Sequence, residues 1–417
     1  MTKDTVLVLT GYNLRSIPVV QWLSDRFQVL LIASRNATNQ LQYPAFLDGI
    51  GHATRWRWVD DLFNDYATVE QALAWHEEFD IRHVVCLDEK GLICAAHLRA
   101  LLDVSSGQQV ESALAFRHKD RMYQAASATF PVPDHRLATC AFSVKDAVEE
   151  LGLPVVVKPT DGAASRDTFV LSTPTDLDEW LRCHPVTLSG PVLVQRFVDA
   201  DLFHVDGLTS GGAVYAATVS RYSGSTLGYQ DARALTSTLV DPAGAEHALL
   251  TDSARRVLAA LPDTGGSAFH AEFFLSADGE VHLCEIAARA GGGAIVPCHQ
   301  RATGINLFRA HALLQCGLGD EVLADARSVA PSGRYGFYLE YAPQGRLLGV
   351  PERCEVPGVL EYSVLGRMGQ AYDGPTSSVD VLREFVIAVP DDARAAAAYR
   401  AIAEWCAHTL ALAPVPA

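Results

Sequence analysis

The chain has 417 residues, 49% of them hydrophobic and 20% charged, far more apolar material than a disordered polypeptide carries, so it must fold into about two to four compact domains. Lys and Arg number 33 against 49 Asp and Glu, and the formal charge of −16 argues against a nucleic-acid duplex or an anionic membrane as partner, while leaving room for a local cationic pocket. Nine cysteines without CxxC spacing, no signal-peptide pattern and no apolar run of about 18 residues lead to the expectation of a reducing, cytoplasmic location.

Residues 6–9 (VLVL), 29–33 (VLLIA) and 83–87 (HVVCL) are short aliphatic runs separated by segments with helical spacing such as Tyr66–Phe79. This βαβαβ rhythm predicts a parallel-sheet α/β domain over residues 1–111. The first strand ends in Thr10, Gly11, Tyr12 and Asn13, either an anion site at a helix N-terminus or a tight turn; no GxGxxG follows it. A helix over about Ser112–Thr129 stops at FPVP, because proline cannot continue it. The next unit, to residue 200, reads as helix Val144–Leu151, strand Val155–Lys158, a polar loop at 160–167, strand Phe169–Ser172, a helix near Asp176–Cys183 and strand Leu193–Val198. Residues 201–330 form a third unit, mainly β from 203 to 290. After Pro331 a strand-rich α+β segment, 331–417, ends in a helix over Asp392–Leu412.

Residues 268–293, AFHAEFFLSADGEVHLCEIAARAGGG, carry the strongest signal. Asp278-Gly279 between two strand-forming runs predicts a hairpin with a two-residue turn. With Ala277 opposite Glu280, the register sets Glu272 opposite Glu285, with Cβ atoms about 4.5–5.5 Å apart. Two like charges so placed destabilise a hairpin unless something positive lies between them, and a divalent cation with oxygen-only ligands, Mg²⁺ with a nucleotide, meets that need. The alternatives are an exposed ribbon whose charges splay into water, or a pair between one Glu and Arg289. Gly291, Gly292 and Gly293 let backbone amides approach an anion, or form a simple loop.

Lys158 ends a run of three valines, which holds its stem in order while the ammonium reaches outward, as a phosphate ligand requires. The following loop, Thr160 to Arg166, is made of small residues whose N–H groups can cover phosphates, with Ser165 and Arg166 adding a hydroxyl and a cation; a plain hairpin loop is the alternative. Lys119, in RHKDRM, reads on its own as a solvated charge on a helix. No Walker A pattern is present.

HKDRM at 118–122, PVVVKP at 154–159, VQRFVDADLFHVDG at 194–207, FHAEFF at 269–274 and EIAARAGGG at 285–293, in this order, resemble the ATP-grasp superfamily of carboxylate-amine ligases, most of all its L-amino acid ligase subgroup. The resemblance covers roughly residues 1–330, with a compatible C-terminal segment. It implies the ATP-grasp fold: an N-terminal parallel-sheet domain, a central two-part ATP-binding region over 112–200 and 201–330, and a C-terminal α+β domain. It implies that Lys119 and Lys158 contact ATP phosphates, that the loop carrying Ser165 and Arg166 is a lid, and that Gln195, Phe197 and Val198 form the adenine hinge. Glu272 and Glu285 match the metal carboxylates, for Mg²⁺ or Mn²⁺. Arg289 matches a catalytic, substrate-facing arginine beside Gly291–Gly293. Ala287 stands where the family often has Asn, and Leu202 where many relatives have an acidic ribose ligand, leaving Asp201 as a substitute.

The activity so implied is ATP-dependent joining of a small-molecule carboxylate to an amine, both amino acids or small peptides, through an acyl phosphate with release of ADP. Carboxylation through carboxyphosphate and a non-catalytic ATP-binding sensor are the competing readings. A homodimer is the expected assembly, two-fold dimers being the commonest.

Overall fold

The computed structural model describes residues 3–34 and 49–414. Strands β1 (Thr5–Thr10), β2 (Gln28–Ser34), β3 (Arg55–Val59) and β4 (Ile81–Cys86) form a parallel sheet in the order β3-β2-β1-β4, with α1 (Val19–Ser24), α2 (Tyr66–Phe79) and α3 (Leu92–Leu101) among its connections. Every residue of β1 is buried, as expected of a strand covered on both faces. The weakly patterned β3, RWRWV, was not anticipated because its exposed half carries arginine and tryptophan.

The expected single helix over 112–129 is two, α4 (Val110–Arg117) and α5 (Lys119–Ala126), broken where His118 turns extended at φ −103°, ψ 116°. The break places Lys119 at a helix N-terminus, where its backbone N–H donates to Thr160 O at 2.9 Å. Next come β5 (His135–Cys140), α6 (Ala141–Leu151), β6 (Val155–Pro159), β7 (Phe169–Leu171), α7 (Pro174–Cys183) and β8 (Thr187–Arg196). The four strands pair antiparallel in the order β5-β8-β6-β7.

The largest sheet starts with β9 (Asp201–Ser210), β10 (Ala213–Ser223) and β11 (Leu235–Leu239). After α8 (Ala245–Ala260) it takes in β12 (Ser267–Leu275) and β13 (Val281–Ala287). The reading of 203–290 as mainly β missed α8, whose buried Leu250, Ala254, Val257 and Leu258 recur at helical spacing and pack on Phe203, Phe269 and Phe273. Helices α9 (Ile295–Thr303), α10 (Leu307–Gln315) and α11 (Gly319–Arg327) follow. The chain then forms β14 (Tyr335–Tyr341), β15 (Gly345–Gly349), β16 (Val359–Val364), β17 (Ala371–Tyr372), β18 (Val381–Ala388), α12 (Asp392–Thr409) and β19 (Ala411–Ala413). The last helix thus stops short of Leu412, which belongs to a short strand. The large sheet crosses residue 331, in the order β13-β12-β9-β10-β11-β14-β18-β16, and β17-β15-β19 form a small separate sheet.

One buried cation ties the parallel sheet to the rest. Arg99 on α3, 2% exposed, donates to Val84 O at 2.7 Å, to Gln108 O at 2.8 Å and to Gln315 Oε1 at 2.6 Å. The Gln315 amide pairs with both backbone groups of Cys86, at 3.0 Å each, and so caps edge strand β4 with a side chain from α10. Arg99→Met leaves two buried carbonyls short of a donor and is expected to lower stability by about 3 kcal/mol in a urea titration. A loss under about 1 kcal/mol would show that water replaces the guanidinium freely.

Candidate active site

The structure pairs Glu272 with Glu285 across β12 and β13, but not by the expected turn. Ser276 N donates to Glu280 O and Gly279 N to Ser276 O, both at 3.0 Å, so the loop is the three residues Ala277–Gly279, with Gly279 at φ +90°. This longer loop sets Leu275 opposite Val281 and Phe273 opposite Leu283, one residue out of the expected register. A β-bulge at Cys284 then absorbs one residue and restores it, so that Glu272 faces Glu285 and His270 faces Ala287. Two departures of opposite sign cancel. The extra residue brings Cys284 Sγ to 3.8 Å from Glu272 Oε2.

Lys119 meets these acids from α5. Its Nζ lies 3.0 Å from Glu285 Oε2 and donates to Gly162 O at 2.8 Å. Burial disfavours the ammonium, yet Glu285 and Glu89 hold its pKa above the ordinary lysine value. Burial likewise works against a charged Glu285, and Lys119, Lys158 and Arg289 outweigh it, keeping the carboxyl below its usual range. Lys158, buried in β6, sits 5.9 Å from the centre of the Tyr123 ring. Tyr123 Oη is 2.8 Å from Cys284 O and 2.9 Å from the Gln195 side-chain amide, which joins the expected hinge residue Gln195 to the hairpin. Phe197 and Val198 lie beyond the end of β8, with Phe197 N donating to Pro154 O at 3.1 Å and its ring 39% exposed.

The loop expected to act as a lid, residues 160–167, is held from outside. Ala164, Ser165 and Asp167 have φ between +53° and +57°, a left-handed backbone that costs non-glycine residues of order 1 kcal/mol each. Tyr229 Oη donates to Ser165 O at 2.9 Å, Ser378 N to Ala164 O at 3.1 Å, and Arg166 Nη2 to Ser377 Oγ at 3.4 Å. In this conformation the contacts of Ser165 and Arg166 run to residues 229 and 377, not to the carboxylates.

Arg289 is gripped by Glu89: Nε and Nη2 lie 2.9 and 2.7 Å from Glu89 Oε2, while Nη1 donates to Ala290 O. Arg117 approaches the same carboxylate at 3.9 Å. Glu89, Arg117 and Tyr123 were not singled out in sequence, and nothing local ties Glu89 to an arginine 200 residues away. Asp201 is taken up by surface Arg221 at 2.6 Å, and Leu202 packs against the apolar cluster that includes Tyr222 and Leu339.

Glu272 is held through Oε1, 3.3 Å from Tyr222 Oη and 3.4 Å from His270 Nε2. The two facing acids form an all-oxygen donor set on adjacent strands, which suits a hard divalent cation. The nearby His204, Asp206 and His270 are a different case. Their nitrogen–oxygen separations of 2.5 and 2.8 Å are those of hydrogen bonds, shorter than the roughly 3.3 Å between two ligands on a tetrahedral zinc.

Of the three glycines, two are packing positions. A Cβ on Gly291 would lie 2.7 Å from Asp206 Oδ1, and one on Gly293, at φ +57°, 2.8 Å from Leu339 Cδ1; only Gly292 has open space. Gly291→Ala is therefore expected to cost about 2 kcal/mol and lower the melting temperature by several degrees, whereas Gly292→Ala leaves it within about one degree. Equal melting temperatures for both variants would contradict this packing.

No family profile matches the chain. The L-arginine-specific L-amino acid ligase of Bacillus subtilis is 24% identical over 312 residues, 71% of this chain and 72% of that protein. The carbamoyl phosphate synthase large chain of Streptomyces avermitilis is 31% identical over 99 residues, 23% of this chain and 9% of that one. Among solved structures, the L-amino acid ligase of Bacillus licheniformis superposes with a TM-score of 0.78 over 100% of both chains at 16% identity. The carboxyaminoimidazole ribonucleotide synthase of Aspergillus clavatus, complexed with ATP, gives 0.71 over 98% of this chain and 99% of that one, also at 16% identity. The chain therefore has the fold of these enzymes, the ATP-grasp fold.

Proposed function

We propose that the protein is an ATP-dependent ligase that joins a carboxylate to an amine, with an amino acid or small peptide on each side. The observation that supports this reading is the meeting of Lys119, Lys158, Glu272 and Glu285, with Lys119 Nζ also bound to Gly162 O of the 160–167 loop, in a chain that has an L-amino acid ligase among its curated relatives.

In the first step a carboxylate oxygen of the substrate attacks the γ-phosphorus of ATP; the new O–P bond forms as the bond to the β-bridging oxygen breaks, giving an acyl phosphate and ADP. Lys119 and Lys158 supply fixed positive charge to the phosphate oxygens as that charge redistributes. Glu272 and Glu285 are the residues that would hold Mg²⁺ or Mn²⁺, which when bound supplies charge neutralisation on the nucleotide. In the second step the amine nitrogen attacks the acyl carbon, the C–N bond forms, phosphate leaves with the C–O bond electrons, and the nitrogen loses a proton. Arg289, fixed by Glu89 and the Ala290 carbonyl, has N–H groups to spare for a carboxylate or acyl phosphate. Ser165 and Arg166 belong to the lid that keeps water from the activated intermediate, and Gln195, Phe197 and Val198 border the adenine. Gly292 is the open position where substrate approaches the backbone, with Gly291 and Gly293 shaping that turn.

Incubation with ATP, Mg²⁺ and pooled amino acids is expected to give amide products by mass spectrometry, with ADP and phosphate in equal amounts. AMP with pyrophosphate would reject the acyl-phosphate route, and bicarbonate-dependent ADP release without an amine would establish a carboxylase instead. Glu272→Gln and Glu285→Gln are each expected to reduce amide synthesis at least 100-fold with the melting temperature kept within a few degrees. Full activity in both would reject the metal assignment.

A further inference from the structure

Glu272 stands at the end of a buried chain of polar side chains that spans four neighbouring strands. His270, two residues away on the same face of β12, has Nε2 3.4 Å from Glu272 Oε1, an ion-pair separation, and Nδ1 2.8 Å from Asp206 Oδ1. Asp206 Oδ2 is 2.5 Å from His204 Nδ1, His204 Nε2 is 2.8 Å from Ser237 Oγ, and Ser237 Oγ is 3.2 Å from the Arg221 carbonyl. The chain thus links β12, β9, β11 and β10, which are consecutive in the sheet. His204, Asp206, Ser237 and His270 are each at most 4% exposed. Burial of this much polar surface is costly unless every group is paired, and here the pairs fix ring orientations one after another.

We infer that His270 is a positioning residue for metal-nucleotide binding: held by the Asp206–His204–Ser237 chain, it fixes the carboxylate of Glu272 through Oε1 and leaves Oε2 toward the face shared with Glu285. This deepens the reading of Glu272 as a metal carboxylate and rests on it. The two acids are steered from opposite sides, Glu285 by Lys119 and Glu272 by His270 with Tyr222. A ligand carboxylate set by a second residue that is itself locked holds its geometry before the ion arrives.

The two ring nitrogens allow the roles to be separated. Asparagine reproduces the reach of Nδ1 and glutamine that of Nε2, so His270→Asn keeps a donor for Asp206 and loses the one for Glu272, while His270→Gln does the reverse. Binding of Mn²⁺ in the presence of ADP, followed by electron paramagnetic resonance, is expected to weaken fivefold or more in H270N and clearly less in H270Q, with ADP affinity in the absence of metal unchanged. A loss under fivefold in H270N, or an equal loss in both variants, overturns the inference. Should H270N not fold, histidine-selective ¹⁵N NMR of the wild-type protein decides: a buried histidine Nε2 signal is expected to move when Mg²⁺ accompanies ADP and not with ADP alone, and no such movement overturns it. Glu272→Gln in the same Mn²⁺ titration keeps the two claims apart. If E272Q binds as the wild type does, the metal reading falls; if E272Q loses binding and H270N does not, only the role of His270 falls.

Discussion

Two carboxylates set opposite one another on adjacent strands repel, and the architecture around Glu272 and Glu285 answers that repulsion. Lys119 comes from a helix start created by the break at His118, Lys158 from a strand of another sheet, and the acids from a hairpin at the edge of the largest sheet. None of these elements can supply the cluster alone. In a chain with an overall excess of negative charge, four cations, Lys119, Lys158, Arg117 and Arg289, gather around three acids, Glu89, Glu272 and Glu285. The cluster thus carries a local excess of positive charge, opposite in sign to that of the whole molecule.

The hairpin shows how much of this site can be read from residues. Alternation and the Asp278-Gly279 pair gave the facing glutamates, because side-chain period and turn chemistry are local properties. The same logic failed on the turn length and on the Cys284 bulge, which arises where β12 is already committed to pairing with β9. The answer survived because the two shifts cancel. Lys158, at the end of VVV, was legible as an ordered cation. Its company with Tyr123 and Cys284 depends on packing between separate sheets, which no spacing encodes. The Arg289–Glu89 pair joins the segment after β4 to the segment after β13 and could be found only in three dimensions.

Elsewhere the errors have simple causes. Helix α8 lies inside a stretch rich in strand formers, and its alanines and arginines alternate too weakly to stand out until Leu250, Ala254 and Val257 are seen against the sheet. The left-handed residues of the 160–167 loop are Ala164, Ser165 and Asp167 rather than glycines, so composition gave no hint of its shape; contacts from Tyr229 and Ser378 hold it. His204 and Asp206, two residues apart, share one face of β9. The chain through His270 and Ser237 needed the neighbouring strands.

The fold is shared by a biotin carboxylase domain as well as by an L-amino acid ligase, so the fold alone does not choose the reaction, and the proposed reading turns on whether the facing acids hold a metal. The most direct test is the anomalous scattering of Mn²⁺ in crystals grown with ADP. The account predicts one strong peak within about 2.5 Å of a carboxylate oxygen of both Glu272 and Glu285, beside the nucleotide phosphates. A peak touching neither acid, or nucleotide bound away from Lys119 and Lys158, would contradict it.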